Sequence, residues 1–278
     1  MQGKLVASKI ADKKFGQNFL KDETVLKKII QSMPNDLPIV EIGPGLGDLT
    51  KELIQKNRVR AFEVDNRLCD YLRNKFKESI EDRRFELICK DVLKHNGSLF
   101  DEDYSLIANL PYYIATTIIL NALRDSRCKN ILVMVQKEVA QKFSAKVGSK
   151  DYGSLAILSQ SVADVEILFD VDPSSFVPPP KVTSSVLKIT KKDSLNDKGF
   201  EEFLKVATKQ PRKTLLKNLS STFDKKRVEE ILNSLDLSKT IRPHELELTL
   251  YHHLYKELKK DIKDERREST SKREYKTR

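Results

Sequence analysis

Cysteine is scarce in this sequence. Its 278 residues include only Cys69, Cys89 and Cys128. They are odd in number and widely spaced, and no Cys-x-x-Cys pair occurs, so we expect neither a disulfide framework nor a structural zinc site. The cysteine pattern therefore predicts free thiols in a reducing compartment.

Long hydrophobic runs are also absent. No apolar stretch near the N-terminus is long enough for a signal peptide. No segment approaches the roughly 20 apolar residues that a membrane span requires. We therefore expect a cytoplasmic protein without a membrane partner. We also expect a monomer.

Basic residues outnumber acidic ones. Lys and Arg number 51 against 41 Asp and Glu, so the formal net charge is +10. This excess suits an anionic partner such as nucleic acid or an anionic membrane. Many proteins are basic only for solubility, so charge alone leaves the partner open.

Short apolar runs alternate with helical stretches over the first half of the chain. This alternation predicts a parallel sheet with helices on both faces. The expected strands are Pro38–Ile42, Val59–Val64, Phe85–Cys89, Leu106–Ala108 and Ile131–Val135, with Val162–Phe169 and Val182–Thr190 as an antiparallel edge. The expected helices beside them are Thr24–Gln31, Asp48–Gln55, Asn66–Lys77 and Thr116–Arg124.

The pattern changes after Lys191, where helical segments follow one another without a strand. These segments are Gly199–Thr208, Lys213–Thr222, Lys225–Leu235 and Glu245–Leu258. We therefore expect an α/β domain with a Rossmann-like sheet over residues 1–192. A small all-helical domain with a charged C-terminal tail is expected over residues 193–278.

A glycine-rich turn follows the first predicted strand. Residues 41–47 read Glu-Ile-Gly-Pro-Gly-Leu-Gly, in which Gly43 and Gly45 allow a tight turn close to a ligand. Such turns serve dinucleotide enzymes and methyltransferases, and they also occur as plain strand-to-helix turns. The Gly-x-Gly-x-Gly spacing and the acidic Asp48 disfavour a pyrophosphate ligand, so a dehydrogenase is the weaker alternative.

Acidic residues follow the next two strands. Glu63 is placed to accept hydrogen bonds from both ribose hydroxyls, and Asp91 to accept one from an adenine amino group. A solvated strand-end carboxylate is the alternative for Glu63. Because carboxyl ends of parallel strands meet at one edge of a sheet, the turn and both acids predict a site for an adenosine-bearing cofactor.

The fourth strand ends in Asn109-Leu110-Pro111-Tyr112. An adenine amino group is a poor nucleophile because its lone pair is delocalised into the ring. The Asn109 side-chain oxygen and the Leu110 carbonyl can accept its two hydrogens, while Pro111 fixes the backbone and Tyr112 offers a flat face to the base. The tetrapeptide therefore favours chemistry at an exocyclic amine over an ordinary strand-end turn.

Four segments resemble motifs of the ribosomal RNA adenine dimethyltransferases. Asn109–Tyr112 resembles the family's N6-adenine methyltransferase motif, and Phe15–Leu20 resembles its opening motif. Phe176–Val182 is similar to the late motif, and Gln210–Leu215 to the start of the helical domain. The resemblance runs in order from about residue 13 to residue 220.

This resemblance implies methyl transfer from S-adenosylmethionine to adenosine N6. The cofactor-binding residues that we expect are Asn18, Leu20, Gly43, Gly45, Glu63, Asp91 and Asn109. Asn109, Leu110, Tyr112 and Phe176 would handle the target adenine, with the Phe176 ring packed on the base. Arg212, Lys213 and Lys217 would contact RNA, whereas Pro211 stands where the family usually has a basic residue.

The tetrapeptide and the three prolines at 178–180 favour one branch of that family. This branch dimethylates two adjacent adenosines near the 3′ end of small-subunit ribosomal RNA, within an immature subunit. A DNA adenine methyltransferase usually has Asp at the position of Asn109. A non-enzymatic assembly factor with the same fold is a further alternative, which the intact acids and Tyr112 disfavour.

Histidine raises the question of a metal site. His252 and His253 are adjacent and so cannot share a helix face, and His95 stands alone. We therefore expect packed or solvated histidines and no metal.

Overall fold

The computed structural model describes residues 17–34 and 36–259. Phe15 and Gly16 of the opening motif and most of the charged tail lie outside the described residues. The chain divides into a sheet unit, Met1–Ser144 with Val162–Leu195, and a helical unit, Ala145–Ser161 with Asn196–Arg278. Residues 145–161, which we expected in the first domain, thus group with the helical unit.

A seven-stranded sheet forms the centre of the sheet unit. Its strands are β2 (Ile39–Ile42), β3 (Val59–Glu63), β4 (Phe85–Cys89), β5 (Tyr104–Asn109), β6 (Cys128–Gln136), β7 (Ala163–Val171) and β9 (Ser184–Lys191). Their order in the sheet is β4-β3-β2-β5-β6-β9-β7. The first five strands are parallel, and β9 runs antiparallel to both β6 and β7. The expected Rossmann-like sheet is therefore confirmed.

Two short strands form a separate pair. β1 (Phe19–Leu20) runs antiparallel to β8 (Phe176–Val177), so Leu20 lies opposite Phe176. This pair joins the opening and late motifs, which the sequence separates by more than 150 residues. Neither strand was expected from the sequence, because each is only two residues long.

Among the described residues of the sheet unit, six α-helices accompany the sheet. They are α1 (Glu23–Gln31), α2 (Asp48–Ile54), α3 (Asn66–Lys75), α4 (Lys77–Glu81), α5 (Ala115–Arg124) and α6 (Lys137–Ser144). The segment expected as one helix from Asn66 is divided at Phe76, whose ring is 8% exposed and packs in the core. Asp22 and Asp65 fix the starts of α1 and α3 by accepting hydrogen bonds from first-turn N–H groups.

The central strands are apolar because helices and neighbouring strands bury them on both faces. Every residue of β2 is buried, and so are the five residues 131–135 of β6. Two buried acids lie at or next to the carboxyl ends of these strands, where Glu41 and Glu63 are 2% and 5% exposed. The hydrophobic core thus holds the strands, and their carboxyl ends carry the buried acids.

The helical unit packs around aromatic rings. Phe200 stacks on His252 with ring centroids 4.4 Å apart, and Phe203 packs near Tyr251 and Tyr255. Burial lowers the pKa of His252 below its ordinary value. The helices are α7 (Ser154–Val162), α8 (Lys198–Ala207), α9 (Leu215–Leu219), α10 (Lys225–Ser234) and α11, which spans residues 248–259.

The prediction of three free thiols was wrong for two of them. Cys69 on α3 and Cys89 at the end of β4 form a disulfide, with their Cα atoms 6.1 Å apart. The packing of α3 against β4 brings together two cysteines that the sequence separates by 20 residues. Cys128 is free and buried, and burial raises its thiol pKa to about 12. No helix in the described ranges has the length and apolarity to cross a membrane.

Gly47 is required at the start of α2 for two reasons. Its φ is +73°, and an added Cβ would lie 2.5 Å from the Phe76 ring. Gly97 also has positive φ, but nothing lies within 4 Å of its added Cβ. We expect Gly97→Ala to lower the free energy of unfolding by about 1–2 kcal/mol and Gly47→Ala by about 2–4 kcal/mol. Urea unfolding measures both, and equal losses would contradict the packing argument.

Candidate active site

A cavity of about 350 Å³ opens at the carboxyl ends of the parallel strands, the edge where open α/β sheets bind ligands. Of the residues singled out in the sequence, it brings together Asn18, Leu20, Gly43, Gly45, Glu63, Asp91, Asn109, Leu110 and Tyr112. Phe176 does not line the cavity. Arg212, Lys213 and Lys217 belong to the helical unit.

The glycine turn is tied directly to Glu63. The Gly45 N–H donates to Glu63 Oε2 at 3.3 Å, while the N–H groups of Val64 and Asp65 donate to Oε1 at 2.8 and 3.0 Å. These bonds fix the carboxylate. Oε1 accepts two of them and Oε2 only one, so Oε2 keeps a lone pair that can accept a further bond. Burial raises the pKa of Glu63 despite the opposing effect of the three donors.

A second buried acid, Glu41, lines the same cavity. The Thr50 hydroxyl donates to its Oε2 at 2.7 Å. Burial, with smaller contributions from the charges of Glu63 and Asp48, raises the pKa of Glu41 to about 8, so this carboxyl is mostly protonated at neutral pH. We assigned no role to Glu41 from the sequence. An acidic residue within a buried strand is nevertheless rare, and this rarity could have identified Glu41 as a candidate site residue.

Asp91 follows the end of β4 by two residues. In the sheet, β4 and β5 lie on opposite sides of β2, so Asp91 and the tetrapeptide flank the glycine turn. Its Oδ1 accepts a hydrogen bond from the Leu93 N–H at 3.0 Å, which holds the carboxylate at the strand end. Exposed apolar side chains also line this cavity. Val64, Leu93 and Tyr113 are 45%, 39% and 62% exposed, and none of them was singled out in the sequence.

The orientation of the Asn109 amide is set by the opening segment. Its Nδ2 donates to the Asn18 carbonyl at 3.2 Å. The donor side of the amide is therefore engaged, and Oδ1 remains as an acceptor. The next residue, Leu110, is held by its N–H, which donates to the Met134 carbonyl on β6 at 3.1 Å.

Tyr112 is anchored through its hydroxyl group. The phenol and the Ser184 hydroxyl share a hydrogen bond of 2.7 Å, which joins the tetrapeptide to β9. Burial raises the pKa of the Tyr112 phenol above its ordinary value. The phenol is thus neutral over the physiological pH range, and its ring is fixed at the cavity wall.

Phe176 occupies a different place from the one expected. It is 2% exposed and belongs to the hydrophobic core with residues such as Leu20 and Ile107. The β1–β8 pairing holds it there, together with the bond from the Lys21 N–H to the Ser175 carbonyl at 2.8 Å. In this arrangement its ring faces core residues and offers no surface to a base.

The basic residues of the helical unit lie on an exposed segment with a buried support. Arg212, Lys213 and Lys217 are exposed. Asn218 is buried. Its Oδ1 accepts a hydrogen bond from the Gln210 N–H at 2.9 Å, and its Nδ2 donates to the Gln210 carbonyl at 3.1 Å. It also donates to the Thr214 carbonyl at 3.1 Å. One neutral side chain thus holds the ends of the segment that carries Arg212 and Lys213.

The sheet order, the glycine turn and the strand-end acids together define a class I methyltransferase of Rossmann-like fold. Two solved structures support this class. A dimethyladenosine transferase from Plasmodium falciparum is 26% identical, with a TM-score of 0.72 over 85% of this chain and 95% of that one. The 23S rRNA methyltransferase ErmE is 24% identical and shares the fold, with a TM-score of 0.67 over 87% of this chain and 100% of that one.

The chain belongs to the ribosomal RNA adenine dimethylase family, whose model matches residues 9–260. Relatives named ribosomal RNA small subunit methyltransferase A agree with this assignment. The one from Sulfurimonas denitrificans is 57% identical over 89% of this chain and 93% of its own length. The one from Campylobacter concisus is 48% identical over 93% and 98%. The family resemblance in the sequence motifs is therefore confirmed.

The buried Glu41 predicts a pH-dependent stability. Because its folded-state pKa of about 8 lies above the ordinary value of 4.5, the folded protein keeps a proton that the unfolded chain loses between these two pH values. Wild-type stability should therefore fall as pH rises through this window. Glu41→Gln cannot titrate, and its stability relative to wild type should rise by up to roughly 4 kcal/mol between pH 5 and 8.

Urea unfolding at pH 5, 6.5 and 8 measures this difference. Glu78→Gln on α4 is a matched control, since Glu78 is exposed. Parallel stability profiles for wild type and Glu41→Gln would show that Glu41 is ionised in the folded protein.

Proposed function

We propose that this protein dimethylates the N6 amino groups of two adjacent adenosines near the 3′ end of small-subunit ribosomal RNA. The substrate would be RNA within an immature 30S-type subunit, and the protein would act as a monomer in the cytoplasm. The observation that carries the proposal is the Asn109 amide, whose Nδ2 is engaged by Asn18 so that Oδ1 is left to accept a bond at the cavity. The names of the close relatives support the same RNA.

The cavity suits S-adenosylmethionine as the cofactor. Glu63 would accept from the ribose hydroxyls, because its carboxylate is already fixed by three backbone donors. Asp91 would accept from the adenine amino group, and Gly43 and Gly45 allow close approach of the backbone. Asn18 and Leu20 would flank the methionine half. When bound, this cofactor supplies an electrophilic methyl group on a sulfonium centre.

Within this site the tetrapeptide would activate the target amine. Asn109 Oδ1 and the Leu110 carbonyl would accept its two hydrogens, which favours a tetrahedral nitrogen with a localised lone pair. Such preorganised polar groups act strongly because they need no reorganisation during the reaction. The amine becomes acidic as it is methylated and can lose its proton to water, so no strong base is needed.

Tyr112 would provide the stacking face for the target base, which must leave its own stack to reach the cavity. The Ser184 hydroxyl fixes the edge of this ring in advance. Contact between the base and Phe176 stays a prediction. It requires β8 to separate from β1, because Phe176 is buried at this pairing.

RNA binding would use the helical unit. Its residues include 23 basic and 16 acidic side chains, so it carries +7 of the net +10 on little more than a third of the chain. Arg212, Lys213 and Lys217 have no carboxylate partner among the residues that the structure describes. Unpaired cations of this kind suit phosphate contacts.

Asn109→Ala tests the proposed chemistry. We expect single-turnover methyl transfer to immature small subunits to slow by about 10²–10³-fold, because one of the two acceptors is lost. The affinity for S-adenosylmethionine, measured by calorimetry, should fall by a smaller factor, because Asn109 is only one of the expected cofactor contacts. Asn74→Ala, at an exposed position on α3, is the matched control.

The products should be resolved as mono- and dimethyladenosine. If Asn109→Ala forms dimethyladenosine at the wild-type rate, this mechanism is wrong. If the wild-type protein binds immature subunits without methylating them, the non-enzymatic assembly factor is the better interpretation.

Salt dependence tests the RNA-binding residues. Replacing Arg212, Lys213 and Lys217 by Gln should reduce the slope of log affinity against log salt by about 2–3, because about 0.7–0.9 counterion is released per phosphate contact. The matched control replaces three exposed lysines of the sheet unit by Gln, namely Lys27, Lys56 and Lys94. An unchanged slope in the first variant would place the RNA-binding surface elsewhere.

A further inference from the structure

Exposed apolar side chains concentrate at one place on the sheet unit. Six large apolar side chains are exposed in the part of the chain that the structure describes. Three of them, Val64, Leu93 and Tyr113, line the cavity. Apolar side chains grouped around a concave site usually contact a ligand. The roles proposed for the tetrapeptide and the acids do not account for this group of apolar side chains.

Tyr113 differs sharply from its neighbour Tyr112. The Tyr112 hydroxyl is hydrogen-bonded to Ser184 and its side chain is partly buried, whereas Tyr113 is 62% exposed. Within the described ranges the Tyr113 hydroxyl has no hydrogen-bond partner. The two adjacent aromatic residues therefore have different roles, since only Tyr112 is held in place by the protein itself.

The position of Tyr113 relates it to the strand-end acids. Partial burial raises the pKa of its phenol, and so do the negative charges of Asp91 and Glu63. Asp91, Glu63 and Tyr113 line the same cavity. Val64 directly follows Glu63, and Leu93 lies two residues after Asp91. Tyr113 thus stands with the groups proposed to bind adenosine.

We propose that Tyr113 binds the adenosine half of the cofactor, with its ring as an apolar wall over the nucleoside. This inference rests on the proposed function, because it assumes that the cavity binds S-adenosylmethionine. The chemistry of this place fits a nucleoside, which has flat apolar faces and hydrogen-bonding edges. Asp91 and Glu63 would accept hydrogen bonds from the edges of the nucleoside. Val64, Leu93 and Tyr113 would pack against its faces.

A contact with adenosine has a specific thermodynamic consequence. S-adenosylmethionine and its product S-adenosylhomocysteine share the adenosine half and differ at the sulfur. Loss of the Tyr113 ring should therefore weaken both ligands by the same factor. Binding of the adenosine half of the cofactor would then depend on Tyr113, which takes no part in the activation of the target amine.

Calorimetry on the full chain without RNA tests this inference, with S-adenosylmethionine and S-adenosylhomocysteine as probes. Tyr113→Ala should weaken both by about three- to tenfold, and Tyr113→Phe should bind both like wild type because it keeps the ring. Tyr71→Ala removes another exposed tyrosine, which does not line the cavity, and should leave both affinities unchanged.

The outcomes separate this inference from the proposed function. Wild-type affinity of Tyr113→Ala for both ligands would overturn the role of Tyr113 while leaving the proposed function intact. The same result with weaker RNA binding would assign Tyr113 to the RNA instead, which also overturns the inference. If wild-type protein binds neither ligand, the proposed function itself fails.

Discussion

The active site depends on the hydrogen bonds that converge on the Glu63 carboxylate. Three backbone N–H groups, from Gly45, Val64 and Asp65, donate to a side chain that is 5% exposed. A buried carboxylate without such donors would be costly. Because Gly45 belongs to the turn after β2 and the other two donors follow β3, the same acid joins two neighbouring strand ends. The shape of the cavity follows from this connection.

The second connection joins distant parts of the chain at Asn109. Its amide donates to the Asn18 carbonyl, 91 residues away, and β1 beside Asn18 pairs with β8 of the late motif. The opening segment therefore orients the residue proposed to activate the amine, besides lining the cavity. Three sequence motifs that look independent along the chain form one hydrogen-bonded assembly.

The sequence predicted the parallel strands and the residues at their ends well, because hydrophobic periodicity and strand-end placement are local properties. β4 has the expected bounds, Phe85–Cys89, and Glu63 and Asn109 line the cavity as expected. The misses are non-local. The disulfide of Cys69 and the burial of Phe176 both depend on packing between separated segments. α6 follows β6 without a break and α7 runs directly into β7, so neither helix was expected from the sequence.

Asn218 supports the conformation of the basic segment without contributing to its charge. This side chain is neutral and buried, yet it holds Gln210 and Thr214 on either side of Arg212 and Lys213. A chain that has lost Asn218 keeps every surface charge and the same isoelectric point. Its electrostatic attraction at long range would be intact, while the spacing of its cations would be loosened. Evolution can therefore change the spacing of these surface cations through a single buried and neutral residue.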